Sequence, residues 1–373
     1  MKTTHRTLIV LPLFTLLACG GGPEPITTCD SRGGVTPLCG WQNPEDLVAL
    51  PGGRFIVGSE YGGMEGEAPG RLALLDLTTD ARSVLWDGRE QAAAAPTPAS
   101  WGDERCPGAP DGSFSPHGID LVQRADGTLA LLAVQHGGRE SVELFSLDTE
   151  GDVPTLTWRG CAIAPPGAML NDVAGRADGS FFVTHMMDKN GFGGPMVGYM
   201  RASLTGANSG HAWRWTPEDG FDIQPGTEGP VPNGIALSAD ERTLFVAYSG
   251  QGELRRVDVG AGEATGRATL EPLDNVTVAP DGRLIVAEAR ASAAEGMSCM
   301  ELEAGQCAIA FAIVAVDPAT LAHEALYIGG PGTPSGAGTV GRLLDDGTLL
   351  IGTFAGDRIL RVPPEAQLSA DAR

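Results

Sequence analysis

The sequence predicts an all-β fold, a six-bladed β-propeller. Three observations predict it: one phrase recurs six times, each copy pairs two short apolar strands around a turn, and glycine and proline are abundant (53 and 27 of 373 residues). The copies are "PEDLVALPGGRFIVG", "PHGIDLVQRADGTLALLAV", "LNDVAGRADGSFFVT", "PNGIALSADERTLFVA", "LDNVTVAPDGRLIVAE" and "TVGRLLDDGTLLIGT". Each opens on one or two polar residues, continues as an alternating strand, and turns at motifs such as P-G-G, A-D-G or D-D-G before a second apolar strand. These turns suit hairpins, because glycine adopts the required backbone freely. A third strand often follows, as in "GRLALLDL", "SVELFSLD", "GELRRVDV" and "AIVAVDP". Recurrence roughly every 40 to 70 residues matches radial β-sheet repetition, whereas a sandwich has no need of the same phrase six times.

Taken from the N-terminus, residues 1–18 read as a signal peptide: Lys2 and Arg6 precede the apolar run "LIVLPLFTLLA", too short to span a bilayer. The run ends in Leu16-Leu17-Ala18-Cys19, which resembles a bacterial lipobox and implies an exported lipoprotein lipidated at Cys19. Gly20 follows in place of a retaining aspartate, so the expected location is the outer membrane, with periplasmic or secreted protein as the alternative. Residues 19–40, beginning "GGGPEP" after the cysteine, read as a tether; 41–364 are the propeller and 365–373 a tail. Long inter-blade loops are expected around 86–113 and 186–230. A net charge of −22 argues against nucleic acid as a partner. In an oxidising compartment the six cysteines besides Cys19 are expected to pair by proximity: Cys29–Cys39, Cys106–Cys161 and Cys299–Cys307.

In a propeller the innermost strand of each blade lines the central tunnel, so the residue that opens it sits at one tunnel mouth. The first opening position reads Glu45, His117, Asn171, Asn233, Asp274, and the second reads Asp46, Gly118, Asp172, Gly234, Asn275. The sixth copy offers only Thr339 and Val340. Asn and Asp favour turns anywhere, but five blades placing polar groups at one mouth point to a bound cation, since packed carboxylates otherwise repel. Oxygen donors select a hard cation. Glu45, Asn171, Asn233, Asp274 and Asn275 supply two charges and three amide oxygens, which suits one Ca²⁺. Asp46 and Asp172, with the Ile119 carbonyl, are expected to hold a second, structural Ca²⁺ deeper in the tunnel. His185 is expected near the same mouth, His211 and His323 on the surface, and Trp213 and Trp215 packed within a blade.

The motifs "PEDLVALP", "FSPHGI", "VQHGGRESVELF", "LNDV", "PNGI", "LDNV" and "LLIGT", in this order from about residue 41 to 362, resemble the paraoxonase/arylesterase family of calcium-dependent lactonases. "PNGI" and "LDNV" occur in gluconolactonase-like propellers too. The resemblance implies one catalytic and one structural calcium on the two residue sets above, and a histidine dyad at His117 and His136. It implies a small lactone or aryl ester as substrate, its carbonyl polarised by calcium while the dyad activates water. The chain departs from that family in lacking a C-terminal cysteine for the family's disulfide, in a lipid anchor replacing an N-terminal helix, and in the 186–230 loop. Two other readings stand beside it: a sugar-acid lactonase of the gluconolactonase type, with no need of the two histidines, and a non-catalytic surface propeller. No G-x-S-x-G, H-E-x-x-H or P-loop motif occurs.

Overall fold

A computed structural model describes residues 24–89 and 101–368. The expected signal peptide and Cys19 lie outside the described residues. Six antiparallel sheets follow one another along the chain, as the six-fold repeat predicts. Blade 1 is Pro44–Ala49, Phe55–Glu60, Arg71–Asp76 and Ala81–Trp86. Blade 2 runs Pro116–Gln123, Leu129–Gln135, Ser141–Asp148 and Thr155–Ile163, with Trp101–Gly102 added parallel at its outer edge. Blade 3 is Leu170–Gly175, Phe181–His185, His211–Thr216 and Gly220–Ile223. Blade 4 is Pro232–Leu237, Thr243–Tyr248, Glu253–Asp258 and Glu263–Thr269. Blade 5 is Leu273–Val278, Leu284–Ala289, Phe311–Val316 and His323–Gly329.

Inner strands such as Phe181–His185 and Phe311–Val316 are buried along their whole length, because each blade is covered on both faces by its neighbours. The core is therefore a set of wedges between blades. Val57, Leu72 and Leu74 of blade 1 meet Leu131 and Phe145 of blade 2. Ala174 and Phe182 of blade 3 meet Ile235 and Val246 of blade 4, and Ile285 and Ile313 of blade 5 meet Leu349 and Leu360 of blade 6.

Blade 6 closes the ring. Gly338–Leu343, Leu349–Thr353 and Arg358–Val362 come from the C-terminal part, and the fourth strand is Thr36–Cys39, paired antiparallel to Arg358–Val362. This strand lies in the segment assigned from sequence to the tether; four residues, "TPLC", are too few to display an alternation. Arg358, buried, donates to the carbonyls of Ile26 and Thr28 and pins the segment before it. All three expected disulfides form, and Cys29–Cys39 ties down the closing strand.

The stretch 186–230 is not one loop. It holds a helix, α1 (Gly194–Thr205), and the third and fourth strands of blade 3. Trp215 of that third strand stacks on Phe181 with centroids 4.9 Å apart, and Trp213 is buried beside it, in keeping with the packing role expected for both. Among the described residues no helix is long and apolar enough to cross a membrane.

Candidate active site

Each innermost strand opens on a β-bulge. Pairing with the second strand of the blade breaks between Pro44 and Leu47, Pro116 and Ile119, Leu170 and Val173, Pro232 and Ile235, and Leu273 and Val276. The two residues released in each blade are the two opening positions read from the sequence. A bulge re-aims side chains that a regular pleat would send into the wedges between blades. In blade 6 the shift, between Gly338 and Val340, frees one residue, Thr339, whose hydroxyl donates to the Glu45 carbonyl. The departure of the sixth copy is therefore a shorter bulge.

Two of the second positions must be glycine. A Cβ at Gly118 would lie 2.5 Å from the Asp172 Cα, and one at Gly234 would lie 2.5 Å from the Asp274 carbonyl oxygen. Adjacent bulges nest there, backbone against backbone.

The bulges bring the expected residues together. Asn275 Nδ2 donates to Glu45 Oε1 at 2.9 Å, and His117 Nε2 lies 3.5 Å from the same oxygen. Asn233 Nδ2 donates to Ser249 Oγ at 2.9 Å, with Asp274 close enough to Glu45 and Asn233 to feel both. Glu45, His117, Asn171, Asn233 and Asn275 are all buried. Four oxygens of this set, Glu45 Oε2, Asn171 Oδ1, Asn233 Oδ1 and Asn275 Oδ1, have no hydrogen-bond partner. Each such orphan costs about 1–3 kcal/mol when nothing binds it. Burial, then the charge of Glu45, pushes the Asp274 carboxyl up to about 8. Orphaned oxygens and a strained carboxylate pair suit a hard dication. Among the described residues no three His, Cys, Asp or Glu side chains are grouped to hold a metal, so a cation here depends on the asparagine oxygens.

Asp46 and Asp172 behave differently. Asp46 accepts from its neighbour Leu47 N and, across the blade boundary, from Ile119 N, each at 2.7 Å. Asp172 accepts from Val173 N and from Ile235 N of the next blade, each at 2.8 Å. Asp120 repeats the pattern at the boundary between those two, from blade 2 to blade 3, with Leu121 N and Gly175 N. These carboxylates staple blade to blade, and no oxygen of Asp46 or Asp172 is left unpaired. Burial, then the charge of Glu45, raises Asp46 to about 7, partly opposed by Arg342; burial, then Asp46, raises Asp172.

Beside the ring, His117 Nδ1 and His136 Nε2 are 2.9 Å apart, both rings buried. Burial pulls the His117 ring down, but the charge and hydrogen bond of Glu45, with Asp274 and Asp46, outweigh it and leave a net rise. Burial dominates at His136 and lowers it, against Glu140. Tyr61, which the sequence reading missed, stacks on His117 with centroids 4.7 Å apart. Its loop is fastened to blade 2 by Ser115, which accepts from Gly62 N and donates to the Gly63 carbonyl.

The wall above Asn171 is rich in methionine. Asn171 Nδ2 donates to Met186 Sδ at 3.6 Å. Met169, Met187, Val231 and Ala202 of α1 form one buried cluster, with Met64, Met186 and Tyr199 packed against it.

His185 lies close by, stacked on Trp213 at 4.5 Å and accepting from Met169 N through Nδ1. His211, expected on the surface, is half-buried against both, because it pairs with His185 across neighbouring strands. Burial, then His211, lowers His185 to about 4. Between about pH 6.5 and 4 the unfolded chain takes up a proton that the folded chain refuses, so this contribution is whole above that window and lost as pH falls through it. From pH 7 to 5 the loss is about 2 kcal/mol. Urea unfolding at both pH values should find His185→Phe less acid-sensitive by about that amount; equal losses in both proteins would contradict it.

Comparison with known proteins agrees with the propeller fold. Residues 121–297 match the family described as SMP-30/Gluconolactonase/LRE-like region. Serum paraoxonase/arylesterase 1 of Rattus norvegicus is 27% identical over 263 residues, a match spanning 63% of this chain and 63% of the rat protein. Among solved structures, the gluconolactonase XC5397 of Xanthomonas campestris superposes with a TM-score of 0.50 at 16% identity, covering 92% of this chain and 94% of that one. Luciferin-regenerating enzyme superposes with a TM-score of 0.50 at 11% identity, covering 87% and 92%. The chain is thus a six-bladed propeller, similar in part of its sequence to lactonase-type propellers.

Proposed function

We propose that this protein is a calcium-dependent hydrolase of lactones and aryl esters. The observation behind this reading is the set of four orphaned buried oxygens beside a hydrogen-bonded histidine pair. Glu45, Asn171, Asn233, Asp274 and Asn275 would hold the ion. When bound, a hard dication there supplies Lewis acidity toward an ester carbonyl. The chain's own residues do the rest. His117 Nε2, facing the ring, takes a proton from the attacking water, and His136 fixes the His117 ring through their shared hydrogen bond. Tyr61 covers the face of the His117 ring, and the methionine wall excludes water from one side of the site. Asp46 and Asp172 join the blades that carry the ring through one N–H on each oxygen; with the Ile119 carbonyl they would hold a second ion whose part is structural, outside the proposed chemistry. Export and a lipid anchor at Cys19 would set this site at the membrane surface.

A second reading, a sugar-acid lactonase, is favoured by the gluconolactonase-like match over residues 121–297. The wall of Met64, Met169, Met186 and Met187 favours apolar acyl groups over polyols. A panel of alkyl-substituted γ- and δ-lactones, phenyl acetate and gluconolactone separates the two. The expected order has kcat/KM for the alkyl lactones above that for gluconolactone by at least about tenfold. The reverse order would replace the proposal with the sugar-acid reading, and no hydrolysis in the presence of calcium would leave a binding propeller.

A further inference from the structure

The hydrogen bonds of the dyad continue past His136. Its ring is buried with both nitrogens engaged: Nε2 faces His117, and Nδ1 lies 3.1 Å from Glu140 Oε1. The same Glu140 oxygen accepts from Leu170 N at 2.6 Å, one residue before Asn171. Glu140 Oε2 accepts from Lys189 Nζ at 2.7 Å, and Lys189 lies on the segment leading from blade 3 to α1. The only other carboxylate paired with Lys189 among the described residues is the exposed Glu65, 3.6 Å away. One carboxylate therefore touches the dyad, the strand that carries Asn171, and the segment before α1.

The direction of these bonds follows from Glu140. Burial raises its carboxyl, but His136 and Lys189 outweigh that and hold it below the ordinary glutamate value. An ionised carboxylate only accepts. The hydrogen between Glu140 and His136 therefore sits on His136 Nδ1. In the neutral ring, His136 Nε2 then has a lone pair, and the bond to His117 carries the hydrogen of His117 Nδ1. When the His117 ring is neutral as well, the nitrogen left without a hydrogen is its Nε2, 3.5 Å from Glu45 Oε1 and facing the ring.

We propose that Glu140, held by Lys189, is the positioning residue that sets the tautomers of His136 and His117 and so presents the His117 Nε2 lone pair to the ring. This rests on the hydrolase reading for its catalytic consequence, though not for the tautomers themselves. A purely structural Glu140, anchoring only Leu170 and Lys189, would leave the histidine protons indifferent to its charge. The amide of Glu140→Gln cannot match the present donors: two N–H groups converge on Oε1 and an ammonium on Oε2, so its NH₂ must oppose one of them.

The test is long-range ¹H–¹⁵N NMR on the full chain labelled with ¹⁵N-histidine, in calcium buffer, beside steady-state kinetics. Wild-type His136 is expected to have a protonated Nδ1 and a bare Nε2. Glu140→Gln is expected to disturb that signature and to lower kcat about 10- to 100-fold with little change in KM. Lys189→Arg, which keeps the charge, should stay near wild type in both. A wild-type His136 protonated on Nε2 would overturn the proposal, as would Glu140→Gln keeping both the wild-type signature and kcat. The wild-type spectrum decides even if the variant does not fold. If wild type hydrolyses no ester, the hydrolase reading fails while the spectrum still judges Glu140.

Discussion

Removing calcium from the purified protein is expected to abolish ester hydrolysis and to lower thermal stability together. The four unpaired oxygens of the ring are buried with no partner in the protein, and Glu45 crowds an Asp274 already pushed up to about 8 by burial. A dication that pairs with them stabilises the folded chain alone, by about 4 kcal/mol when its free concentration is a thousand times Kd. In a domain of this size that is a fall in Tm on the order of 10 °C on chelation. Hydrolysis should drop at least about 100-fold, because a preorganised charge at the carbonyl is usually the largest catalytic contribution. Differential scanning calorimetry and a phenyl acetate assay, with chelator and after calcium is restored, read both effects. Unchanged Tm and full turnover in chelator would remove the metal from the mechanism.

His117→Gln should reduce kcat by about 10²- to 10⁴-fold, the usual contribution of a positioned base. Glutamine fills most of the imidazole volume and can still bond His136, so Tm should move little. KM should stay within a few-fold, and calcium content should be unchanged, because the ring oxygens belong to other residues. Turnover near wild type would leave the cation acting without a histidine base. Loss of calcium from the variant would instead make His117 part of the ion site.

The fold was legible because the wedge packing of blades forces the same phrase on each: two strands buried on both faces and a tight turn between them. The ring was legible for the same reason. A bulge at a fixed place in the repeat needs polar residues at fixed spacing, and the glycines at 118 and 234 mark where neighbouring bulges nest. Residues outside the repeat left no such trace. Glu140 reaches the dyad only through tertiary packing. Tyr61 stands at the strand-end position that His136, Met186 and Ser249 hold in other blades, where the side chains share no pattern that a repeat would show. Helix α1 begins after Gly193 in a left-handed conformation and ends at Gly206 in another, within a stretch rich in glycine that reads as loop. The closing strand Thr36–Cys39 finds its partner more than 300 residues away, at Arg358–Val362. The disulfides were readable because each pair is adjacent in sequence order.

The most direct measurement is diffraction from crystals grown in millimolar calcium, with the ion located by its anomalous signal. The expected result is a peak at the tunnel mouth, at about 2.3–2.6 Å from oxygens of Glu45, Asn171, Asn233, Asp274 and Asn275. A ring occupied by water alone under those conditions would contradict it.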